Sequence, residues 1–93
     1  MPTSGHARVV FLWHMHQPSY KSPYSGEYLL PWALVHGMRD YYDMAALVEK
    51  RKGISVVINL VPGMVEQLQE YAAGGVRDVF LEVAMKDPDH LTA

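Results

Sequence analysis

An α/β fold with parallel strands is predicted by three observations: two β-branched apolar runs, amphipathic helical patterns after each, and proline or glycine at most changes of pattern. The first run, Val9-Val10-Phe11-Leu12-Trp13, ends abruptly in His14-Met15-His16-Gln17-Pro18, and the second covers Ile54 to Leu60. Strands joined through a helix are crossovers that generate parallel sheets. Continuous apolar runs read as strands covered on both faces, and two such strands do not close a sheet. The 93 residues are therefore expected to open a larger α/β domain, either cut short or completed by strands from other chains.

Each element is justified by its residues. The first strand is expected at about 7–13, where period two places Val10, Leu12, His14 and His16 on one side. A connection over about 19–33 carries Pro23, Ser25, Gly26 and Pro31 together with Tyr20, Tyr24 and Tyr28. Its proline and glycine mark it as a loop, and its aromatics as one that touches something. A helix over about 34–52 is predicted by Leu34, Val35, Met38, Tyr41, Tyr42, Ala45 and Val48 at helical spacing, with Gly53 at the position after its end. The second strand spans about 54–60. Pro62 suits the first turn of a helix over about 62–73, with Met64, Val65, Leu68, Tyr71 and Ala72 inward and Gly74-Gly75 as its stop. A last helix over about 76–86 uses Val79, Phe80 and Val83 as its buried stripe, and Asp87 to Ala93 is a terminal loop.

Composition narrows the function. Hydrophobic residues make up 49% and aromatics 11% of the chain, a globular balance. Eight basic against ten acidic side chains give a net charge of −2, which draws the protein toward neither nucleic acid nor an anionic membrane. Lys50-Arg51-Lys52 reads as a helix C-terminus, where cations suit the dipole. Without cysteine there is no disulfide framework and no thiolate metal site. Met1 to His6 lacks the pattern of a secretory signal, and no run reaches the ~18 apolar residues of a membrane span, so a cytoplasmic protein is expected.

The chemistry sits at the end of the first strand. A His-x-His pair on one strand face sets two imidazoles about 6–7 Å apart along the backbone, close enough to converge on one ligand. That ligand is a sugar or other polar molecule, or a zinc ion for which two histidines are half a site; the pair is otherwise structural. Among the carboxylates, Asp40 and Asp43 lie on a helix, Asp40 at i+4 from His36, and Glu66 and Glu70 read as a solvated helix face. None has the setting of a catalytic dyad. Trp13 alternates with the histidines and is expected in the core, whereas Trp32 comes directly after Pro31 and either shields the pocket or offers a flat apolar face to a ring-shaped ligand. Tyr20, Tyr24 and Tyr28 are loop hydroxyls within reach of a ligand.

The run Trp13-His14-Met15-His16-Gln17-Pro18-x-Tyr20 resembles the first conserved region of the family 57 glycoside hydrolases, which ends in His-Gln-Pro. Leu30-Pro31-Trp32 with His36, then Asp40-Tyr41-Tyr42-Asp43-Met44, is similar to the next segment. Asn59-Leu60-Val61-Pro62 with Glu66-Gln67-Leu68 is similar to the second strand and helix. The resemblance implies the opening βα units of an incomplete seven-stranded (β/α) barrel and retaining chemistry on α-glucans, as in α-amylases, 4-α-glucanotransferases and branching enzymes. It implies a Glu nucleophile and an Asp acid on later strands, so that no catalytic residue lies in this chain and the 93 residues alone are inactive. It also implies that His16 and His14 line the subsite of the sugar being cleaved, with Gln17 and Trp32 assisting, and that neither metal nor cofactor is needed. Two other readings stand beside it. One is a zinc-dependent barrel enzyme of the mannosidase or deacetylase kind, against which Gln17-Pro18 stands where those enzymes carry an Asp. The other is a non-catalytic module that binds carbohydrate or self-associates through open strand edges.

Overall fold

The computed structural model describes residues 4–91; Met1 to Thr3 of the segment read for a targeting signal, and Thr92 and Ala93 of the terminal loop, lie outside them. The chain is α/β. Strand β1 (Leu12–Met15) pairs in parallel with β2 (Val57–Leu60), in the register Leu12 to Val57, Trp13 to Ile58, His14 to Asn59 and Met15 to Leu60. Between them a continuous helical stretch consists of α1 (Trp32–His36), a π-helical turn (Gly37–Tyr41) and α2 (Tyr42–Glu49). Helix α3 (Pro62–Ala73), helix α4 (Val79–Ala84) and a 3₁₀ turn (Pro88–His90) complete the order.

Both strands are shorter than their apolar runs and lie toward the C-terminal end of each. A strand exists only where it has a partner, and the ladder runs no further back than the bond from Val57 N–H to Phe11 C=O. Val9, Val10 and Ile54 therefore stay exposed outside it. The expectation of strands covered on both faces is also corrected. Met15 is buried against the helices, whereas Leu12, His14, Val57 and Asn59 look out from an uncovered face. Helices lie on one side of this two-stranded sheet and nothing in the described chain lies on the other.

The predicted single helix over 34–52 starts earlier, at Trp32 behind Pro31, ends at Glu49, and changes its inward face midway. Met38 and Tyr42, placed on the buried stripe by 3.6-residue periodicity, are 70% and 67% exposed. The π turn is the reason. Its wider winding shifts the residues beyond it, so that Met44 is partly covered while Tyr42 and Ala45 are exposed; Tyr41 and Val48 are partly covered, as the periodicity expects. Gly37 opens this turn against α3, where a Cβ would lie 2.5 Å from Cδ2 of Leu68. Gly53, three residues after the helix has stopped at Lys50, takes a left-handed turn at φ 82° into the approach to β2.

The connection after β1 is an ordered loop whose anchors are polar. Gln67, 5% exposed on α3, accepts from Tyr20 N–H at 3.1 Å and donates to the carbonyls of Pro18 and Gly63. Tyr28, 1% exposed, packs on Tyr71 and donates its hydroxyl to Glu70, which also takes Lys21 Nζ at 3.0 Å. Glu70 is therefore a tertiary anchor and not the solvated face its spacing suggested. Tyr28 further uses its backbone to pair with the segment before α4, N–H to Arg77 C=O and C=O to Val79 N–H. That pairing holds residues 76–78 extended, so α4 starts at Val79, capped by Asp78 accepting from Leu81 N–H. Leu81 faces inward, and the expected stripe of Val79, Phe80 and Val83 is left open.

Gly37→Val destabilises the protein by about 1–3 kcal/mol through overpacking on Leu68. Combined with Leu68→Ala it costs less than the sum of the two changes, as chemical denaturation of the four proteins in the cycle will show. Stability also depends on pH through Glu70. The Tyr28 hydroxyl and then the Lys21 ammonium hold the Glu70 carboxyl below the ordinary carboxylate range. A pKa lowered by folding contributes stability above the unfolded value of about 4.3, and that stability is lost as pH falls through the folded value. Arg77 acts on Glu82 in the same direction. Melting temperature thus declines below about pH 4.3, and Glu70→Gln shows a shallower decline than the parent over that range.

Candidate functional site

Parallel pairing brings the C-terminal ends of β1 and β2 together, and the polar side chains of both strands gather on the uncovered face there. His14 and Asn59 are direct cross-strand partners, so their side chains leave the sheet on the same side. The imidazole Nδ1 of His14 lies 2.6 Å from Oδ1 of Asn59. With that oxygen accepting, Nδ1 carries the hydrogen of the neutral ring and Nε2 presents a lone pair outward. His16 stands on the same face two residues later. The two rings lie 5.8 Å apart between centroids and only 12° from parallel, which makes a pair of stacked, exposed imidazoles at the sheet's end.

The other candidates occupy different surroundings. Gln17, half-buried, has its amide between two tyrosines, donating to Tyr41 Oη at 2.8 Å and accepting from Tyr20 at 2.6 Å. Burial, with Tyr41 alongside, pushes the Tyr20 phenol above its ordinary pKa, so Tyr20 stays a donor through the neutral range. Trp32, 40% exposed, opens α1 and has the Phe80 ring as its aromatic neighbour at 6.3 Å. Trp13 lies on the helix side of β1 and, with Phe11, Leu47, Val48, Ile54 and Val56, lines an apolar hollow beneath the sheet.

The loop tyrosines divide. The Tyr28 hydroxyl is committed to Glu70 and that of Tyr20 to Gln17, while Tyr24 is 99% exposed at the loop tip. Several carboxylates have partners of their own: Asp40 with His36 at 2.5 Å, Glu27 and Glu82 with Arg77, and Asp78 with Tyr71. Among the described residues no three of His, Cys, Asp or Glu gather where they could hold a metal ion, and no helix is long and apolar enough to cross a membrane.

Asn59 and Tyr41 belong to this site and are not singled out by the sequence alone. Asn59 carried a readable signal, an asparagine near the end of an apolar strand, where that residue type is disfavoured. Tyr41 carried part of one, since helical spacing puts it on the inward stripe, but nothing in the spacing shows its hydroxyl reaching the strand end.

The arrangement offers a shallow polar edge, two imidazoles and an amide, set in an apolar sheet face at strand C-termini. Parallel α/β folds hold their ligands at that end. No curated protein and no solved structure matches the chain. The model of glycosyl hydrolase family 57 matches residues 10–87, a span that holds both strands, the loop between β1 and α1, and the histidine pair. Strand order, the His-x-His-Gln-Pro strand end and this match converge: the chain belongs to glycosyl hydrolase family 57.

Proposed function

We propose that the chain forms the opening βα units of an incomplete seven-stranded (β/α) barrel. In this reading it supplies His14 and His16 to the sugar-binding floor of a retaining glycosidase or transglycosylase acting on α-glucans. The supporting observation is the pair of stacked imidazoles at the open strand ends, one of them fixed by Asn59. His14 held through Nδ1 leaves Nε2 for a sugar hydroxyl, and His16 adds a second ring nitrogen on the same side. Hydroxyl-rich ligands are bound by such fixed donors and acceptors beside apolar surface. Trp32 keeps part of its ring exposed for a pyranose face, and Gln17 retains one amide hydrogen beyond that given to Tyr41.

A retaining mechanism needs a nucleophile and an acid about 5–5.5 Å apart across the scissile bond. In this reading both stand on strands beyond residue 93, and the 93 residues alone bind weakly and do not cleave. The same uncovered face suggests how an isolated chain behaves. Leu12 and Val57 are more than half exposed, and such a surface associates with itself when the rest of a barrel does not cover it.

In the full-length protein, His14→Ala and His16→Ala each lower kcat/KM on a linear α-1,4-glucan oligosaccharide by roughly ten- to a hundredfold, the worth of one or two hydrogen bonds to a buried ligand. Asn59→Ala gives a smaller loss, since it frees the His14 ring without removing it. Unchanged cleavage by His16→Ala would sink the reading.

A further inference from the structure

The β1 ladder ends at Met15, whose carbonyl takes the last bond from Val61 N–H. His16 therefore has no strand partner, and something else must fix its backbone. The Tyr41 hydroxyl lies 3.3 Å from the His16 carbonyl oxygen and 2.8 Å from Gln17 Nε2. A phenol has one hydrogen, and an amide nitrogen only donates, so the contacts admit one arrangement: Tyr41 accepts from Gln17 and donates to His16. Gln17 Oε1 in turn accepts from Tyr20. The three bonds form a directed relay, Tyr20 to Gln17 to Tyr41 to the His16 carbonyl, in which each phenol hydrogen is used once. Reversing the Gln17 amide would make Tyr41 donate to it and leave that carbonyl without its bond.

Tyr41 is the last residue of the π turn. Its inward direction agrees with the helical spacing of the sequence, and the turn lies close to α3 where Gly37 meets Leu68. We infer that Tyr41 is a positioning residue: its hydroxyl fixes the His16–Gln17 segment where the strand ladder stops, and so sets the stance of the His16 ring beside His14. Its effect on catalysis rests on the sugar-binding reading above, while its effect on ring geometry does not.

The test is Tyr41→Phe in the full-length protein, which keeps the ring and removes the oxygen. On the linear glucan oligosaccharide kcat falls about tenfold or more, as for a small misplacement of a binding group, with KM changed less than about twofold. In the His16→Ala background the same substitution costs nothing further, because it acts through His16. A fully additive loss, a raised KM with unchanged kcat, or full activity overturns the inference. A crystal structure of Tyr41→Phe adds a readout independent of turnover. There the His16 ring leaves its near-parallel stance beside His14; an undisturbed ring pair overturns the inference whatever the kinetics. Should His16→Ala itself cleave glucan normally, the sugar-binding reading falls alone, and the ring geometry decides the role of Tyr41.

Discussion

The register of four residue pairs governs the rest of this structure. With His14 opposite Asn59, the two polar side chains share a face and meet; a slip of one residue would send Asn59 to the helix side and leave His14 without its partner. Nothing within so short a ladder enforces that register by itself. Met15 is its one buried side chain, and bonds close the ladder at each end, from Val57 to Phe11 and from Val61 to Met15. The chemistry at the strand ends is thus a consequence of that pairing.

Little apolar surface is fully buried in the described chain, and polar side chains take over part of the work of a core. Gln67 joins three backbone groups of two different segments through one amide, and Tyr28 joins the loop to α3 by its hydroxyl and to the approach of α4 by its backbone. Such groups confer direction where apolar contact confers only proximity. Each also carries a larger penalty when a partner is lost, since a buried donor or acceptor left alone forfeits its hydration without compensation. The buried side-chain polar atoms of the described residues all have partners. That is consistent with a segment arranged around hydrogen bonds while its largest apolar face stays open.

The sequence made some of this legible and withheld the rest for identifiable reasons. Pro62 and the Gly74-Gly75 pair mark the ends of α3 because their backbone preferences act locally. The parallel sense of the strands and the placement of the histidines at a strand end are given by pattern and order. Strand lengths are not, since Val9 and Val10 have strand propensity and no partner. Nor is the whole inward face of the long helix, for Met38, Tyr42 and Ala45 of the expected stripe are exposed around the wide turn between Gly37 and Tyr41. Gln67 looked like one more polar position on an amphipathic helix; its role depends on a loop 47 residues away in sequence reaching its amide. At the site, the histidines were readable as a pair, while the groups that orient them, Asn59 and Tyr41, acquire meaning only once two strands and a turn are placed.

The π turn also bears on how chains of this kind vary in length. A helix of regular winding cannot take in one more residue without turning everything after it through about 100°. A turn already wound wide absorbs that residue locally, leaving α1 and α2 each in its own phase. Between Gly37 and Tyr41 this chain therefore has a place where one residue would be gained or lost with the least rearrangement. The residue at the end of that stretch is the one whose hydroxyl reaches the strand end, so a length change there would alter the site's setting before it altered the fold.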